Sequence, residues 1–313
     1  MPIILDGNRV RDQILHNLRP RVAALAASSR PPGLAVVLVG NDPGSQIYVR
    51  NKVKACADLG IASESLTPLD SITTEELLAL IEDLNQRPDI DGILVQLPLP
   101  PQVDSRRVLL AVAPHKDVDG FHPMNVGNLV AGRPGPRPCT PAGIMELLRQ
   151  YQIGVAGKRA VVVGRSDIVG KPMALLLLHA HATVTICHSR TADLPAVCRE
   201  GEILVAAMGR PAMLTADYIR PGAVVVDVGM NRISDPIEAA RIFRNSAERM
   251  ATLERRGSLL VGDVDPFAMH EKAAAYTPVP GGVGPLTIAM LMSNTVEAAE
   301  SAVRRAACPA VGG

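Results

Sequence analysis

The chain has 313 residues, a formal net charge of +1 and 47% hydrophobic residues, but no Trp, three Phe and four Tyr. This length is sufficient for two domains of ordinary size. The near-neutral charge offers no attraction for a polyanion, and so few aromatic side chains leave little for bases to stack on. We therefore expect no nucleic-acid partner.

Membrane and secretion signals are also missing from the pattern. The N-terminal apolar run stops at Asp6 and no basic region precedes it, unlike a signal peptide. The apolar run 173–178 ends at His179, far short of the ~20 residues that span a bilayer. Five cysteines without CxxC spacing favour reduced thiols over a disulfide framework. We predict a cytoplasmic protein that is not in a membrane.

Helical and strand patterns alternate through the first third of the chain. The predicted elements are a helix over "RVRDQILHNLRPRVAAL", a strand over 33–40, a helix over "SQIYVRNKVKACADLG" closed by Gly60, a helix over "TTEELLALIEDLN" capped by Thr73 or Thr74, and a strand over 90–100. Such alternation is typical of a mostly parallel sheet.

A proline- and glycine-rich stretch, 114–143, interrupts this pattern and predicts loop and linker. A second set of strands and helices follows, including a strand over "SLLVGDVD", and a last helix is expected from about 285 to 305. We predict an α/β protein of two domains, 1–138 and 139–276.

The segment "RAVVVGRSDIVGKPMALLLL" reads as a buried strand, a glycine turn and a helix. Such a turn aims backbone N–H groups and the positive helix end at a phosphate. Gly164 and Gly170 fit a nucleotide-binding turn, but Ser166 stands where the usual second glycine would be. Taken alone, the segment is equally compatible with an ordinary strand-to-helix turn.

The end of the next predicted strand narrows the choice of nucleotide. His188, Ser189 and Arg190 stand where NAD-binding folds place an acidic residue. A hydroxyl and a guanidinium there favour NADP, and Arg165 in the turn adds a second candidate phosphate contact. The alternative is that these are simply exposed residues at a strand end.

No metal site is predicted. His179, His181, Cys187 and His188 lie near one another in sequence, but they run across a predicted helix end and a strand without a recognised ligand spacing. Core or surface positions account for them better.

Several polar residues of the first domain stand where ligands bind in α/β folds. Tyr48 and Lys52 are four residues apart and share one helix face, and Gln96 ends a strand. Asp117 and Asp119 follow in a loop, although an Asp before Gly is also an ordinary turn former. An amide, a lysine, a tyrosine and a carboxylate together suit recognition of a polar heterocycle and movement of a proton. Short-chain dehydrogenases also use YxxxK, but there the pair follows the nucleotide turn, whereas here it precedes it.

Nine ordered segments resemble one known family. They are "YVRNKVKA", "DGILVQLPLP", "KDVDGFHPMNVGNL", "PCTPAGIMELL", "VVVGRSDIVGKPMA", "TVTICHSRT", "VVVDVGMNR", "GDVD" and "TPVPGGVGPLTIAMLMSNTVEAA". The chain resembles, from about residue 3 to 305, the bifunctional methylenetetrahydrofolate dehydrogenase/methenyltetrahydrofolate cyclohydrolase family.

The resemblance implies a folate-binding first domain, completed by the last helix, a Rossmann-like doubly wound NADP-binding domain, and a cleft between them. It implies NADP-dependent oxidation of 5,10-methylenetetrahydrofolate, hydrolysis of the methenyl product to 10-formyltetrahydrofolate, and a homodimer. The implied catalytic residues are Lys52 as general acid/base, Tyr48, Gln96 and Asp119, which holds the pterin. The implied substrate-binding residues also include Val95, Leu97, Pro280, Gly281, Gly282, Val283 and Gly284, and the implied cofactor-binding residues are Gly164, Arg165, Ser166, Ser189 and Met230.

One region departs from the family pattern. Residues 233–256 make the connection between "DVGMNR" and "GDVD" longer than usual, and their mixed charge and helical character predict an added surface helix. The insertion follows Met230, which stands where the family often has isoleucine.

Two alternatives stay open at the level of sequence. One is a two-domain NADP dehydrogenase of the shikimate type, whose substrate domain also comes first but which would not require "PGGVGP". The other is a catalytically silent protein that binds NADP or folate; retention of Lys52 argues against it.

Overall fold

The computed structural model describes residues 1–307. Its strands are β1 (Ile3–Ile4), β2 (Gly33–Val37), β3 (Ala62–Leu66), β4 (Gly92–Val95), β5 (Arg159–Val163), β6 (Thr183–Cys187), β7 (Ile203–Ala206), β8 (Val224–Asp227), β9 (Asn231–Ile233), β10 (Leu259–Val261) and β11 (Ala275–Tyr276). Its α-helices are α1 (Gly7–Ser28), α2 (Pro43–Leu59), α3 (Thr74–Gln86), α4 (Ser105–Ala111), α5 (Pro123–Val130), α6 (Cys139–Gln150), α7 (Gly170–His179), α8 (Leu194–Arg199), α9 (Pro236–Ile242), α10 (Ala247–Arg256), α11 (Pro266–Lys272) and α12 (Gly284–Ala307).

The chain forms two compact units. The lysine unit, so named for Lys52, contains Arg11–Cys139 and residues 288–307; the glycine-turn unit contains Met1–Val10 and Thr140–Thr287. The α/β fold predicted from the sequence is confirmed, and each unit has its own parallel sheet.

The lysine unit is built on a three-stranded parallel sheet in the order β3-β2-β4. All residues of β2 and β4 are buried, as expected of strands covered on both faces. Side chains of α3 and α4 pack with these strands in one hydrophobic core. The carboxyl end of β4 is therefore held in place by the hydrophobic core, and Gln96 follows it directly.

The glycine-turn unit has a six-stranded parallel sheet in the order β1-β11-β8-β7-β5-β6. Alternate residues of β5 point into opposite cores: Val161 and Val163 into one, Ala160 and Val162 into the other. β6 pairs with one edge of β5, and β7, the next strand along the chain, pairs with the opposite edge of β5. The direction in which successive strands are added to the sheet therefore reverses at β5. Ligands of open α/β sheets bind at the carboxyl ends of the strands beside such a reversal.

Two predicted helix ends are confirmed. Gly60 ends α2 with φ of 80°, in the left-handed region where glycine is favoured. Thr73, one of the two candidate caps, forms a capping box with Glu76: its hydroxyl accepts from the Glu76 N–H at 3.3 Å, and the Glu76 carboxylate accepts from the Thr73 N–H at 2.8 Å.

The structure differs from the sequence prediction in several local elements. β3 was not predicted, because its sequence "ASESL" is polar; pairing with the buried β2 makes it a strand. The stretch 114–143 is not all loop, since it contains α5 and the start of α6. Pro123 opens α5, where proline is favoured, and the His122 side chain accepts from the Met124 N–H.

The C-terminal half also differs in detail. The predicted strand "SLLVGDVD" is only β10, which pairs antiparallel with β9 outside the parallel sheet. Residues 236–256 form two short helices, α9 and α10, rather than one, and with β9 and β10 they enclose a small hydrophobic core of their own. Residues 1–10, predicted as part of the first domain, belong to the glycine-turn unit, because β1 pairs with β11.

Within residues 1–307, no helix combines the length and apolar character needed to cross a membrane.

Candidate functional site

Lys52 lies near the middle of α2 and is only 8% exposed. Its Nζ atom donates a hydrogen bond to Oε1 of Gln96 at 2.9 Å. Gln96 in turn donates from Nε2 to the Leu97 carbonyl at 2.7 Å, which fixes the amide with its oxygen toward Lys52. The strand end and the helix together hold the ammonium group in one place, as a proton-transfer group requires.

Asp119 shares this environment. It is partly buried, and desolvation raises the pKa of its carboxyl to about 6; the Lys52 charge acts in the opposite direction, and the Asp117 charge adds to the rise. No side chain or backbone N–H of residues 1–307 donates a hydrogen bond to the Asp119 carboxylate. It is therefore available to accept a hydrogen bond from a ligand.

Asp117, the other loop carboxylate considered from the sequence, has a structural role. Its oxygens accept from the backbone N–H groups of Gly120 at 3.1 Å and His122 at 2.8 Å, and from Nδ2 of Asn125 at 2.8 Å. It is 6% exposed, so these bonds fix the loop that carries Asp119 and the start of α5.

Sequence reasoning missed two residues beside this loop. Nδ2 of Asn294, on α12, donates to the carbonyls of Val118 at 2.8 Å and Arg137 at 3.0 Å. The buried Cys139 thiol donates to the same Val118 carbonyl at 3.4 Å, and burial together with the Asp119 and Asp117 charges raises its pKa. The polar triplet "SNT", which directly follows the apolar stretch "IAMLM" of α12, was the available sign in the sequence.

The remaining predicted residues of the lysine unit differ in exposure. Tyr48, one turn before Lys52, is 43% exposed and so presents its ring at the surface. Val95 is 3% exposed and packs in the hydrophobic core, which leaves only its backbone for a ligand. Leu97 is partly buried in the loop after β4.

In the glycine-turn unit, a cavity of about 530 Å³ lies at the carboxyl ends of β5, β6 and β7. Gly164 directly follows β5 and has φ of 132°, and a Cβ atom there would lie 2.0 Å from the Ala207 carbonyl oxygen. Only glycine permits this approach of the β5 turn to the chain that follows β7. The cavity thus lies at the point where the strand order reverses, which is where ligands bind in open α/β sheets.

Predicted cofactor-binding residues line this cavity, namely Gly164, Arg165, Ser166 and Ser189. The Ser166 hydroxyl accepts from the N–H groups of Val169 and Gly170, both at 3.2 Å. The serine that replaces the usual second glycine of the turn thus bonds the backbone at the start of α7. His188 also lines the cavity, whereas Arg190 does not; its N–H donates to Nδ1 of His188 at 3.1 Å.

A second cation of the cavity was not found from the sequence. Arg210 is exposed and lines the cavity together with Arg165. The only available sign was its position, four residues after the end of β7. Two guanidinium groups make the cavity suitable for a ligand with phosphate groups.

Met230 lies elsewhere in the glycine-turn unit. It lines a small pocket with Pro280, Gly281, Gly282, Val283 and Gly284. Its Sδ atom would be 3.7 Å from a Cβ at Gly284. The structure thus groups Met230 with the predicted substrate-binding segment rather than with Arg165 and Ser189.

Models of two protein domains match the chain. Residues 5–119 match the tetrahydrofolate dehydrogenase/cyclohydrolase catalytic domain. Residues 138–303 match the NAD(P)-binding domain of the same family. The lysine and its partners thus fall in the catalytic domain, and the cavity at the glycine turn falls in the nucleotide-binding domain.

Individual relatives resemble the chain over nearly its whole length. The bifunctional protein FolD of Solibacter usitatus is 70% identical over 300 residues, which cover 96% of this chain and 98% of that protein. The crystal structure of the bifunctional FolD methylenetetrahydrofolate dehydrogenase/cyclohydrolase from Campylobacter jejuni is 43% identical, with a TM-score of 0.87, and covers 96% of this chain and 99% of that one. The dehydrogenase-cyclohydrolase of Trypanosoma brucei, complexed with NADP cofactor and an inhibitor, is 38% identical, with a TM-score of 0.87 and 97% and 99% coverage.

These matches decide between the families considered from the sequence. Both halves of the chain match domains of one folate family, so the shikimate-type alternative is set aside. The chain belongs to the tetrahydrofolate dehydrogenase/cyclohydrolase family.

Proposed function

We propose that this protein oxidises 5,10-methylenetetrahydrofolate to 5,10-methenyltetrahydrofolate with NADP and then hydrolyses the methenyl product to 10-formyltetrahydrofolate. The observation that carries this proposal is the Lys52–Gln96 hydrogen bond of 2.9 Å within the family's catalytic domain. A buried, oriented amine is what the hydrolytic step needs.

In hydrolysis, water adds to the methenyl carbon, the bond from that carbon to N5 of the folate breaks, and one proton is released overall. Lys52 moves the protons between water and folate, and Gln96 keeps Nζ in position. Positioned acid/base groups of this kind accelerate proton transfer by roughly 10²–10⁴.

Recognition of the folate falls to the groups around Lys52. The Asp119 carboxylate accepts hydrogen bonds from N–H groups of the pterin, because no group within residues 1–307 donates to it. The exposed ring of Tyr48 covers the pterin face and limits the movement of Lys52. Val95 offers its backbone groups to the folate, and Leu97 offers an apolar contact. The segment Pro280 to Gly284 remains a predicted part of the substrate site.

The cavity at the glycine turn fits a dinucleotide with phosphate groups. Gly164 allows close approach, Ser166 lines the cavity, and Arg165, Ser189 and Arg210 supply a hydroxyl and two positive charges. When bound, the nicotinamide supplies the acceptor for hydride, so the chain's own task there is orientation. Arg165 and Ser189 are proposed to bind the 2′-phosphate and so to select NADP.

The test is an assay of purified protein with 5,10-methylenetetrahydrofolate and either nucleotide. We expect absorbance of the reduced nicotinamide to rise with NADP, followed by formation of 10-formyltetrahydrofolate. A protein that binds NADP and folate but reduces neither nucleotide would support the silent binding protein instead.

We also propose that the protein is a homodimer. β6 lies at the edge of its sheet, and Ile186 on that strand is 43% exposed. An open strand edge of this kind pairs readily with a second copy. Light scattering after size exclusion is expected to give twice the chain mass, and a single-chain mass would refute the dimer.

A cytoplasmic location is proposed from the thiols. Cys56, Cys139, Cys187 and Cys198 are buried and unpaired in disulfides, which suits a reducing compartment. Fractionation of the source cells would test this, and recovery outside the cytoplasm would overturn it.

A further inference from the structure

Asp263 is fully buried in the glycine-turn unit, in the turn between β10 and α11, yet its carboxylate collects donors from a distant loop. Oδ2 accepts from the backbone N–H groups of Met208 at 2.6 Å and Gly209 at 3.0 Å. Oδ1 accepts from the N–H of Arg210 at 2.8 Å and from Nδ2 of Asn231 at 2.8 Å. Both oxygens are therefore used twice.

The three backbone donors belong to consecutive residues, 208–210, which follow β7. Met208 and Arg210 both line the cavity at the glycine turn. Backbone N–H groups that converge in this way form a nest for an anion, and here the protein fills the nest with its own carboxylate. The conformation of this cavity wall, and the direction in which the Arg210 side chain leaves it, depend on Asp263.

Asp263 is itself held from the other side. Asp227, at the end of β8, accepts from the N–H groups of Asp263 at 2.8 Å and Val264 at 2.9 Å. Asp227 belongs to the parallel sheet, so the chain Asp227–Asp263–loop links the sheet to the cavity wall. Asn231, the first residue of β9, donates to the same Asp263 carboxylate.

We propose that Asp263 is a positioning residue for the cofactor: it fixes residues 208–210 as one wall of the dinucleotide site and sets the place of the Arg210 guanidinium. The inference rests on the proposed function, because it requires that the cavity takes NADP. It assigns Asp263 no contact with the nucleotide.

Asp263→Asn is the first test. An amide has one acceptor oxygen, so two of the four donors lose their partner in either orientation of the amide, and the wall relaxes. We expect the KM for NADP to rise by at least about tenfold, the kcat of the dehydrogenase to change less, and hydrolysis of methenyltetrahydrofolate, measured without nucleotide, to stay within about twofold of the parent. Asp235→Asn is the matched control, since Asp235 caps α9 in the same unit and lies away from the cavity.

Gly209→Ala tests the wall should Asp263→Asn fail to fold. Gly209 is exposed, has φ of 68° and has open space around its Cβ position, so the substitution strains only the loop backbone. We expect a severalfold rise in the KM for NADP with hydrolysis unchanged.

Three results separate the possibilities. An unchanged KM for NADP in both variants would overturn the inference, and so would an equal loss of both activities in a folded Asp263→Asn protein, because that marks a general structural role. Failure of the parent protein to use NADP would refute the proposed function itself.

Discussion

Nζ of Lys52 and Oε1 of Gln96 lie 2.9 Å apart, and their hydrogen bond joins the middle of α2 to the carboxyl end of β4. Their sequence separation of 44 residues means that neither local pattern could show the contact. The hydrogen bond restricts the position of the Lys52 amino group, which is the geometry that the proposed proton transfer needs.

Gln96→Ala removes the acceptor from Lys52. We expect methenyl hydrolysis to fall by roughly 10–100-fold, since Nζ loses its fixed position while the amine remains. Steady-state rates of methenyltetrahydrofolate loss will measure this, with the exposed Gln13→Ala on α1 as control. If the two residues act as a unit, the double variant with Lys52→Met will be no slower than Lys52→Met alone; additive losses would show that Gln96 acts independently.

Arg165→Ala and Ser189→Ala are expected to raise the KM for NADP by about tenfold and the KM for NAD much less, because only NADP carries the 2′-phosphate that they are proposed to bind. Arg190→Ala is the control, since Arg190 neighbours Ser189 in sequence but lies outside the cavity lining. Equal effects on the two nucleotides would remove 2′-phosphate recognition from Arg165 and Ser189.

Asp119→Asn should stabilise the ligand-free protein more at pH 7 than at pH 4. Burial raises the pKa of Asp119 to about 6 in the folded chain, above the ~3.9 of an unfolded aspartate. Between these values the folded state keeps a proton that the unfolded state has lost, so the stability contributed by this carboxyl is full below about pH 4 and is lost as pH rises through 6. Asparagine has no proton to lose.

Urea unfolding at a series of pH values will measure this difference. We expect the free energy of unfolding of Asp119→Asn, relative to the parent, to increase by roughly 1–3 kcal/mol from pH 4 to pH 7. Asp58→Asn, at an exposed position of α2, controls for the chemical change. A relative stability that is flat over this range contradicts the raised pKa.

Asp91 is a buried carboxylate of the lysine unit for which we expect an effect on stability rather than on catalysis. It is 4% exposed and accepts from both terminal nitrogens of Arg30, at 2.7 and 2.9 Å, and from the Gly33 N–H at 2.8 Å. Asp91→Asn leaves Arg30 without its counter-charge beside the sheet, and we expect a loss of about 1.5–3 kcal/mol in the free energy of unfolding.

The control for Asp91 lies two residues away. Asp89 is exposed and pairs with Arg87 at 2.6 Å, so Asp89→Asn should change the same quantity by no more than about 1 kcal/mol. Equal losses in the two variants would show that burial of Asp91 adds nothing.

The sequence predicts elements best where the signal is local and strong. Thr73 and Gly60 mark helix ends through their own side-chain and backbone preferences, and these positions are confirmed. By contrast, β3 has a polar sequence and exists because β2 pairs with it, which no local pattern reveals. The many prolines of 114–143 predict loop, but proline also begins helices, as Pro123 does in α5.

Site residues divide in the same way. Residue type and order identify Lys52, Gln96 and Arg165 as candidates, because the chemistry needs an amine, an amide and a guanidinium. Asn294 and Asp263 act through contacts with loops more than 50 residues away, so only the folded chain shows them.

Lys52→Met separates the two proposed activities when the rates of hydride transfer and of methenyl hydrolysis are both measured beside the parent protein. Lys54→Met is the control, because Lys54 is exposed on the same helix. We expect Lys52→Met to lose hydrolysis and to keep part of the NADP reduction, since the proposed proton transfer depends on the amine and hydride transfer depends on orientation. Hydrolysis at the parental rate in a folded Lys52→Met protein would contradict it.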